Sequence, residues 1–150
     1  MIETPTIPVQ RLPHSEGLEL PSYASAGAAG ADVRAAVEDE VWLAPGERSA
    51  VPTGLTFEIP SGWEIQVRPR SGLAIKHGLT VVNAPGTIDS DYRGELKVLM
   101  VNLGFETVAI RRGDRVAQLV AAPAPQAVFT EVDAVGGTDR GDGGFGSTGR

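Results

Sequence analysis

Glycine and proline recur along the whole chain and limit the length of any regular element. The 150 residues include 19 glycines and 11 prolines, spread from one end of the sequence to the other. Proline blocks helix interiors and glycine weakens them, so little room is left for long helices. We therefore expect short elements joined by turns.

Apolar side chains that alternate with period two indicate that these short elements are β-strands. Such a pattern places successive apolar residues on one face of a strand. It occurs in the segments 51–59, 63–67, 96–100, 108–110, 116–120 and 128–132. We predict an all-β fold, either a sandwich or a barrel.

The segment 31–44 is ambiguous because it lacks glycine and proline. Val33, Val37 and Val41 recur in it at helical spacing. Three consecutive acidic residues, 38–40, lie in its middle and favour a turn there. We predict two short strands joined by this acidic turn.

Length and composition predict one domain with a Gly-rich arm at its C-terminus. A chain of 150 residues buries roughly 70% of the surface that its unfolded form exposes, which is enough for one core. We place this domain at residues 1–135. Residues 136–150 are rich in glycine and contain one aromatic side chain, Phe145, so we expect them to form a mobile arm.

Several features that would indicate other environments are absent from the sequence. The chain has no cysteine, and residues 1–21 lack the continuous apolar core of a signal peptide. No run is long and apolar enough to span a bilayer. His14 and His77 are isolated in the sequence and predict no zinc site. We expect a cytoplasmic protein with no membrane role.

Charge restricts the ligands that suit this chain. A net charge of -6 argues against a nucleic-acid polymer, because binding a phosphate backbone requires a field of Lys and Arg. The cations are nevertheless mostly arginine, with eleven Arg against two Lys. Arginine suits bidentate recognition of phosphate or carboxylate, so the composition is compatible with a small anionic ligand.

The segment 86–95 has the highest density of chemically active groups. Asp89, Asp91, Tyr92 and Arg93 follow one another closely between two glycines. Because so many charges cannot be buried without partners, the segment predicts an exposed loop or hairpin. Asp89, ionised at neutral pH, is a candidate general base for a water molecule. Taken alone, the segment is also typical of a solvated turn.

Four other segments carry unusual polar groups, namely residues 30–32, 69–73, 112–119 and 140–149. In the last of them, glycine N–H groups can converge on phosphate oxygens while Arg140, Ser147 and Thr148 add donors. It lacks the Gly-Lys-Ser/Thr ending of a Walker A loop. Considered singly, it is equally typical of a flexible terminus, and Asp32 or Gln118 alone is an ordinary polar side chain.

Taken together and in this order, the five segments closely resemble the five motifs of the trimeric dUTP diphosphatases. The matching pieces are 29–32, 69–74, Asn83 with 86–95, 113–119 and 140–149. The resemblance implies a distorted jelly-roll-like β fold and a homotrimer with its active sites between subunits. It also implies Mg²⁺-assisted hydrolysis of dUTP to dUMP and pyrophosphate.

The resemblance further implies a role for each matching residue. Asp89 is the catalytic residue, which orients the attacking water, and Tyr92 lies under the deoxyribose and excludes a 2′-hydroxyl group. Asn83 matches the edge of uracil, and Phe145 stacks on the uracil ring when the arm closes as a lid. The residues implied in substrate binding are Arg70, Ser71, Gly72, Asn83, Gly86, Thr87, Ile88, Asp89, Tyr92, Lys97, Gln118, Arg140, Phe145, Gly146, Ser147 and Thr148.

Phosphate and metal binding follow from the same resemblance. Different subunits and the arm supply the groups that hold phosphate oxygens, which are Arg70, Ser71, Gly72, Gln118, Arg140, Ser147 and Thr148. Mg²⁺ prefers oxygen ligands and keeps several waters, so we expect it to bind mainly to the three phosphates. Asp32 acts on the metal through water or organises Arg70. The metal therefore arrives with the nucleotide.

Two alternative functions stay open at this point. A dCTP deaminase resembles this family in its fold and in the segment 86–89, but Tyr92 and the complete Gly-rich tail favour the diphosphatase. A nucleotide-binding trimer without catalysis is the second alternative. Asp89 argues against it, because binding alone requires no acid that positions water.

Overall fold

The computed structural model describes residues 3–150 of the chain. They form eleven strands, one α-helix (α1, Ser71–His77) and one 3₁₀ turn (Pro13–Ser15). The strands are β1 Val9–Arg11, β2 Ala31–Arg34, β3 Val41–Leu43, β4 Arg48–Pro52, β5 Leu55–Phe57, β6 Trp63–Arg68, β7 Leu79–Val81, β8 Gly86–Ile88, β9 Lys97–Asn102, β10 Val108–Ile110 and β11 Arg115–Pro123. The short elements predicted from glycine and proline are therefore present.

The strands form two larger sheets and two separate pairs. β2, β11, β6 and β8 make a four-stranded sheet in that order, and β4, β9 and β7 make a three-stranded sheet. β1 pairs with β5 and β10 pairs with β3, and all of these pairings are antiparallel. The predicted all-β fold is confirmed, although the sheets of residues 3–150 do not close into a barrel.

One hydrophobic core joins the sheets. Ile65 and Val67 of β6 and Val98 and Met100 of β9 are all buried in it, as the period-two pattern predicts. Leu99, between the last two, is 38% exposed, so β9 presents one face to the core. Burying each such apolar side chain is worth roughly 1.5–3 kcal/mol relative to leaving it in water.

The alternating segment 51–59 has one buried face but is divided between two strands. β4 ends at Pro52 and β5 begins at Leu55. Between them, the buried Thr53 donates a hydrogen bond from its hydroxyl to the Leu96 carbonyl at 2.6 Å. The period-two pattern does not reveal this break, because the buried face continues across it.

The ambiguous segment 31–44 forms two strands, β2 and β3, as predicted, with bends at residues 38–39. These strands do not pair with each other, because β2 pairs with β11 and β3 pairs with β10. Val33 and Val37 are both buried. Their helical spacing therefore results from burial along a bent chain.

The strand predicted at 128–132 is wrong. These residues lie in no strand, and Val128 and Phe129 are 90% and 96% exposed. Within the described chain, no strand follows β11, which ends at Pro123. Apolar residues without a neighbouring strand or sheet face lack the packing that stabilises β-structure.

The helix α1 is a feature that the sequence analysis does not predict. Gly78 ends it in the left-handed conformation, with φ of 68°, and donates its N–H to the Ala74 carbonyl. The seven-residue helix buries no residue fully, which explains why no apolar pattern marks it. In the described part of the chain, no helix is long and apolar enough to cross a membrane.

Candidate active site

The segment 83–99 surrounds a cavity of about 490 Å³. Its lining, which we call the hairpin pocket, consists of Val67, Asn83, Gly86, Thr87, Ile88, Asp89, Tyr92, Glu95, Lys97 and Leu99. β8 forms one side of it by pairing with β6, and β9 begins in the other sheet at Lys97. The pocket lies where the chain passes between the sheets, and it includes every predicted site residue from 83 to 97.

Asp89 lies directly after β8, where the chain leaves the sheet. Its side chain is exposed, and no residue within 3–150 forms a hydrogen bond or ion pair with it. Its backbone carbonyl accepts a hydrogen bond from the Tyr92 N–H at 3.2 Å, which closes the turn. A carboxylate so placed can accept a hydrogen bond or a proton from a water molecule.

Tyr92 folds back over the returning chain. Its hydroxyl donates a hydrogen bond to the Glu95 carbonyl at 3.0 Å. A Cβ added at Gly94 would lie only 2.3 Å from the Tyr92 hydroxyl oxygen, so only glycine leaves room for the ring there. The Tyr92 ring is therefore held against the backbone at Gly94 and Glu95, and it lines the pocket.

Asn83 and Lys97 bring polar groups to the pocket. A Cβ added at Gly86 would lie 3.2 Å from Asn83 Nδ2, so the exposed amide approaches the β8 backbone closely. A side-chain amide supplies one acceptor and two donors. The ammonium group of Lys97 is 4.0 Å from Glu95 Oε2. The pocket thus combines the hydrogen-bond donors and acceptor of the Asn83 amide with the positive charge of Lys97.

A second polar group of residues, which we call the arginine cluster, consists of Asp32, Arg70 and Arg115. Arg70 Nε is 3.2 Å from Asp32 Oδ1, and Arg115 Nη1 is 3.3 Å from Asp32 Oδ2. Asp32 is buried in β2, in register with Gln118 of β11. Three of the predicted motifs therefore meet around one carboxylate.

The ion pair between Asp32 and Arg70 leaves donor and acceptor capacity unused. Asp32 Oδ1 and Arg70 Nε are buried and lack a hydrogen-bond partner with acceptable geometry, although they are only 3.2 Å apart. The short distance holds the opposite charges together, but the N–H bond is not directed at the oxygen. The cluster therefore holds two guanidinium groups that are suited to an anionic ligand.

A single chain does not bring all of the predicted site residues together. Arg70 lines a separate cavity of about 670 Å³, and Gln118 lines a third of about 440 Å³. Five predicted site residues lie in the tail and, in the described chain, border none of these three cavities. These residues are Arg140, Phe145, Gly146, Ser147 and Thr148. Phe145 is fully exposed. The predicted site is thus divided between three surfaces and a tail.

Sequence reasoning missed contacts that join distant segments at the candidate site. Arg115 belongs to the arginine cluster, and Glu95 lines the hairpin pocket. His14, which is isolated in the sequence, contacts the Glu95 carboxylate from a position 81 residues away. No local pattern predicts such a pair. Among residues 3–150, no group of three or more His, Cys, Asp or Glu side chains could hold a metal ion by itself.

Comparison with known proteins gives one consistent result. The family model described as dUTPase matches residues 16–149. The deoxyuridine 5'-triphosphate nucleotidohydrolase of Mesorhizobium japonicum is 63% identical over 147 residues, which cover 97% of this chain and 91% of the relative. That of Rhizobium meliloti is 58% identical over 148 residues, which cover 97% and 92%.

Solved structures agree with this result. A mutant dUTPase of Staphylococcus bacteriophage 80alpha with dUpNHpp has a TM-score of 0.87 at 26% identity, covering 98% of this chain and 100% of that one. A mutant dUTPase of S. aureus phage phi11, with a structural Mg(II) ion, has a TM-score of 0.77 at 26% identity, covering 87% and 98%. The chain therefore has the jelly-roll-like β fold that was predicted, and it belongs to the dUTPase family.

Proposed function

We propose that this chain hydrolyses dUTP to dUMP and pyrophosphate, which keeps dUTP low and supplies dUMP for thymidylate synthesis. Membership of the dUTPase family supports the reaction. The observation that carries the assignment to a site is the hairpin pocket, where the unpartnered Asp89 carboxylate lies beside Tyr92 and Asn83. The pocket therefore offers a base for the attacking water, an aromatic surface for the deoxyribose and an amide for the edge of uracil.

In the proposed reaction, water attacks a phosphorus of the triphosphate. The water oxygen forms a new P–O bond, and one bridging P–O bond between the α and β phosphates breaks. Asp89 accepts the proton that the water loses, so the products are dUMP and pyrophosphate. A positioned general base contributes about 10²- to 10⁴-fold to such a rate.

Substrate selection belongs to the same pocket in this proposal. The Tyr92 ring, held over Gly94, supports the deoxyribose and leaves no space for a 2′-hydroxyl group. Asn83, with the backbone of β8, binds the edge of uracil. Lys97 contributes its positive charge to the pocket.

The arginine cluster binds the phosphates in this proposal, together with Ser71, Gly72 and Gln118. Asp32 fixes the two guanidinium groups, and any action of it on the metal would pass through water. The residues present fit Mg²⁺ that is carried mainly by phosphate oxygens, since the described chain offers no cage of its own. When bound, Mg²⁺ neutralises charge on the phosphate oxygens.

A homotrimer with shared sites accounts for the division of the predicted residues. Three subunits can combine the hairpin pocket of one chain with the phosphate-binding groups of others. Residues 136–150 then form a mobile arm that closes Arg140 and Phe145 over the nucleotide. A trimer also offers a neighbouring surface on which Val128 and Phe129, almost fully exposed in one chain, are buried. A cytoplasmic location and the absence of a nucleic-acid partner stay predictions.

Pyrophosphate release from dUTP, dCTP, dTTP and UTP, with and without Mg²⁺, tests the function. We expect Mg²⁺-stimulated formation of dUMP from dUTP, with little release from the other three nucleotides. Chelation of the metal with EDTA should abolish most of the activity. Ammonia released from dCTP would instead identify a deaminase, and tight binding of dUTP without turnover would identify a binding trimer.

Replacement of Asp32 tests the arginine cluster. Asp32→Asn keeps the side-chain volume but removes the charge that both guanidinium groups face. We expect kcat/KM for dUTP to fall by about tenfold to a hundredfold, because phosphate binding loses its fixed geometry. Glu19→Gln, which breaks the exposed ion pair with Arg34, is the matched control and should change kcat/KM little. Equal values for both variants would contradict this role.

A further inference from the structure

His14 reaches the hairpin pocket from the far end of the sequence. It lies in the 3₁₀ turn Pro13–Ser15, and its Nε2 contacts Glu95 Oε1. A carboxylate only accepts hydrogen bonds, so Nε2 carries the proton in this contact. Glu95 lines the pocket, whereas His14 does not. Any effect of the histidine on the pocket would therefore pass through Glu95.

The 3₁₀ turn that carries His14 is fixed from two sides. Arg112 Nη1 donates to the His14 carbonyl at 2.7 Å, and Nη2 donates to the Glu16 carbonyl at 2.9 Å. On the other side, a Cβ added at Gly54 would lie 2.4 Å from Ser15 Cβ, so the turn packs directly on that glycine. Gly54 has φ of 66°, which also favours glycine. His14 thus contacts Glu95 from a turn that Arg112 and Gly54 hold in place.

Both oxygens of the Glu95 carboxylate are engaged. Oε1 contacts His14 and accepts the Gly54 N–H at 3.0 Å, while Oε2 is 4.0 Å from Lys97 Nζ. The side chain is only 15% exposed, so water cannot readily replace a lost partner. Loss of the histidine would leave a largely buried carboxylate with fewer partners and a greater attraction to Lys97.

Glu95 also contacts the tyrosine, through its backbone. Tyr92 donates its hydroxyl hydrogen bond to the Glu95 backbone carbonyl, and its ring packs on Gly94. A shift of the Glu95 side chain that moves its backbone moves the acceptor for Tyr92. The contact of His14 with Glu95 is therefore coupled both to the tyrosine that faces the sugar and to the lysine of the pocket.

We infer that His14 is a positioning residue of the hairpin pocket, which acts through Glu95 to hold Tyr92 and Lys97 in the geometry that selects the deoxynucleotide. This inference rests on the proposed hydrolysis of dUTP. It assigns His14 no contact with the substrate or with the attacking water. Its loss should change binding and sugar selection more than the chemical step.

Steady-state kinetics with dUTP and UTP test the inference. We expect His14→Leu to raise KM for dUTP by about fivefold to twentyfold and to lower the preference for dUTP over UTP by a similar factor. kcat should change by less than about threefold, because the Asp89 carboxylate forms no hydrogen bond or ion pair with His14, Glu95 or Tyr92 in the described chain. His14→Gln, whose amide can donate to the carboxylate, should restore most of the loss.

Controls separate positioning from a general loss of stability. Glu40→Gln breaks the exposed ion pair with Arg111, lines no part of the pocket, and should leave KM and preference unchanged. A purely structural role for His14 would lower Tm or the active fraction in His14→Leu without changing KM or preference, and would overturn the inference.

A double-mutant cycle covers the case in which His14→Leu does not fold. His14→Ala, Glu95→Gln and the double variant should show non-additive effects on KM, whereas additive effects would overturn the inference. A wild-type chain that releases no pyrophosphate from dUTP overturns the proposed function, and this inference with it. A wild-type chain that hydrolyses dUTP, with wild-type KM and preference in His14→Leu, overturns the inference alone.

Discussion

Replacing Asp89 with asparagine should lower kcat for dUTP hydrolysis by about 10²- to 10⁴-fold. The asparagine side chain has nearly the same volume and can still accept a hydrogen bond, so it can keep a water in place. It cannot take the proton that the water must lose, which is the role that we propose for the exposed carboxylate. Single-turnover release of pyrophosphate measures this loss directly.

The affinity for the non-hydrolysable analogue dUpNHpp should change by only a few fold in Asp89→Asn, because the lost function belongs to the transition state. Asp91→Asn is the matched control: Asp91 is an exposed carboxylate two residues away, which does not line the hairpin pocket. It should retain nearly full turnover. Full turnover in Asp89→Asn, or an equal loss in both variants, would exclude Asp89 as the base.

The all-β fold could be predicted because the patterns that define it are local. Alternation in segments such as 63–67 and 96–100 reflects one buried face, and Ile65, Val67, Leu96, Val98 and Met100 on that face are buried in the core. The failed strand at 128–132 shows the limit of the same reasoning. Its apolar residues resemble those of a strand, but a strand also needs a partner, and the described chain provides none there.

The candidate site likewise has one part that the sequence predicts and another that it does not. Most residues of the hairpin pocket lie between positions 83 and 99, so the segment around Asp89 indicated many of them directly. The arginine cluster joins β2, the residue before α1 and β11, and only the antiparallel register of β2 with β11 places Asp32 opposite Gln118. His14 and Glu95 meet across 81 residues. Contacts of this kind depend on the folded topology and leave no local signal.

The division of the predicted site between surfaces of one chain leads to a test of shared sites. Deleting residues 136–150 removes the whole proposed arm, and we expect turnover to fall by roughly a hundredfold, because the nucleotide is no longer enclosed and positioned. Asp89→Asn has the opposite defect, with an intact arm and an inactive pocket. Neither variant alone should regain activity at any protein concentration.

Co-expression of the two variants, followed by isolation of mixed trimers through two affinity tags, should restore activity. If pocket and arm come from different chains, every mixed trimer has both intact in one of its three sites, whichever variant is present twice. If they come from the same chain, no site in the mixture has both. Activity near a third of the wild type, with a trimeric mass by sedimentation, therefore supports sites between subunits. A mixture no more active than its parents would place the arm over its own pocket and contradict the shared-site proposal.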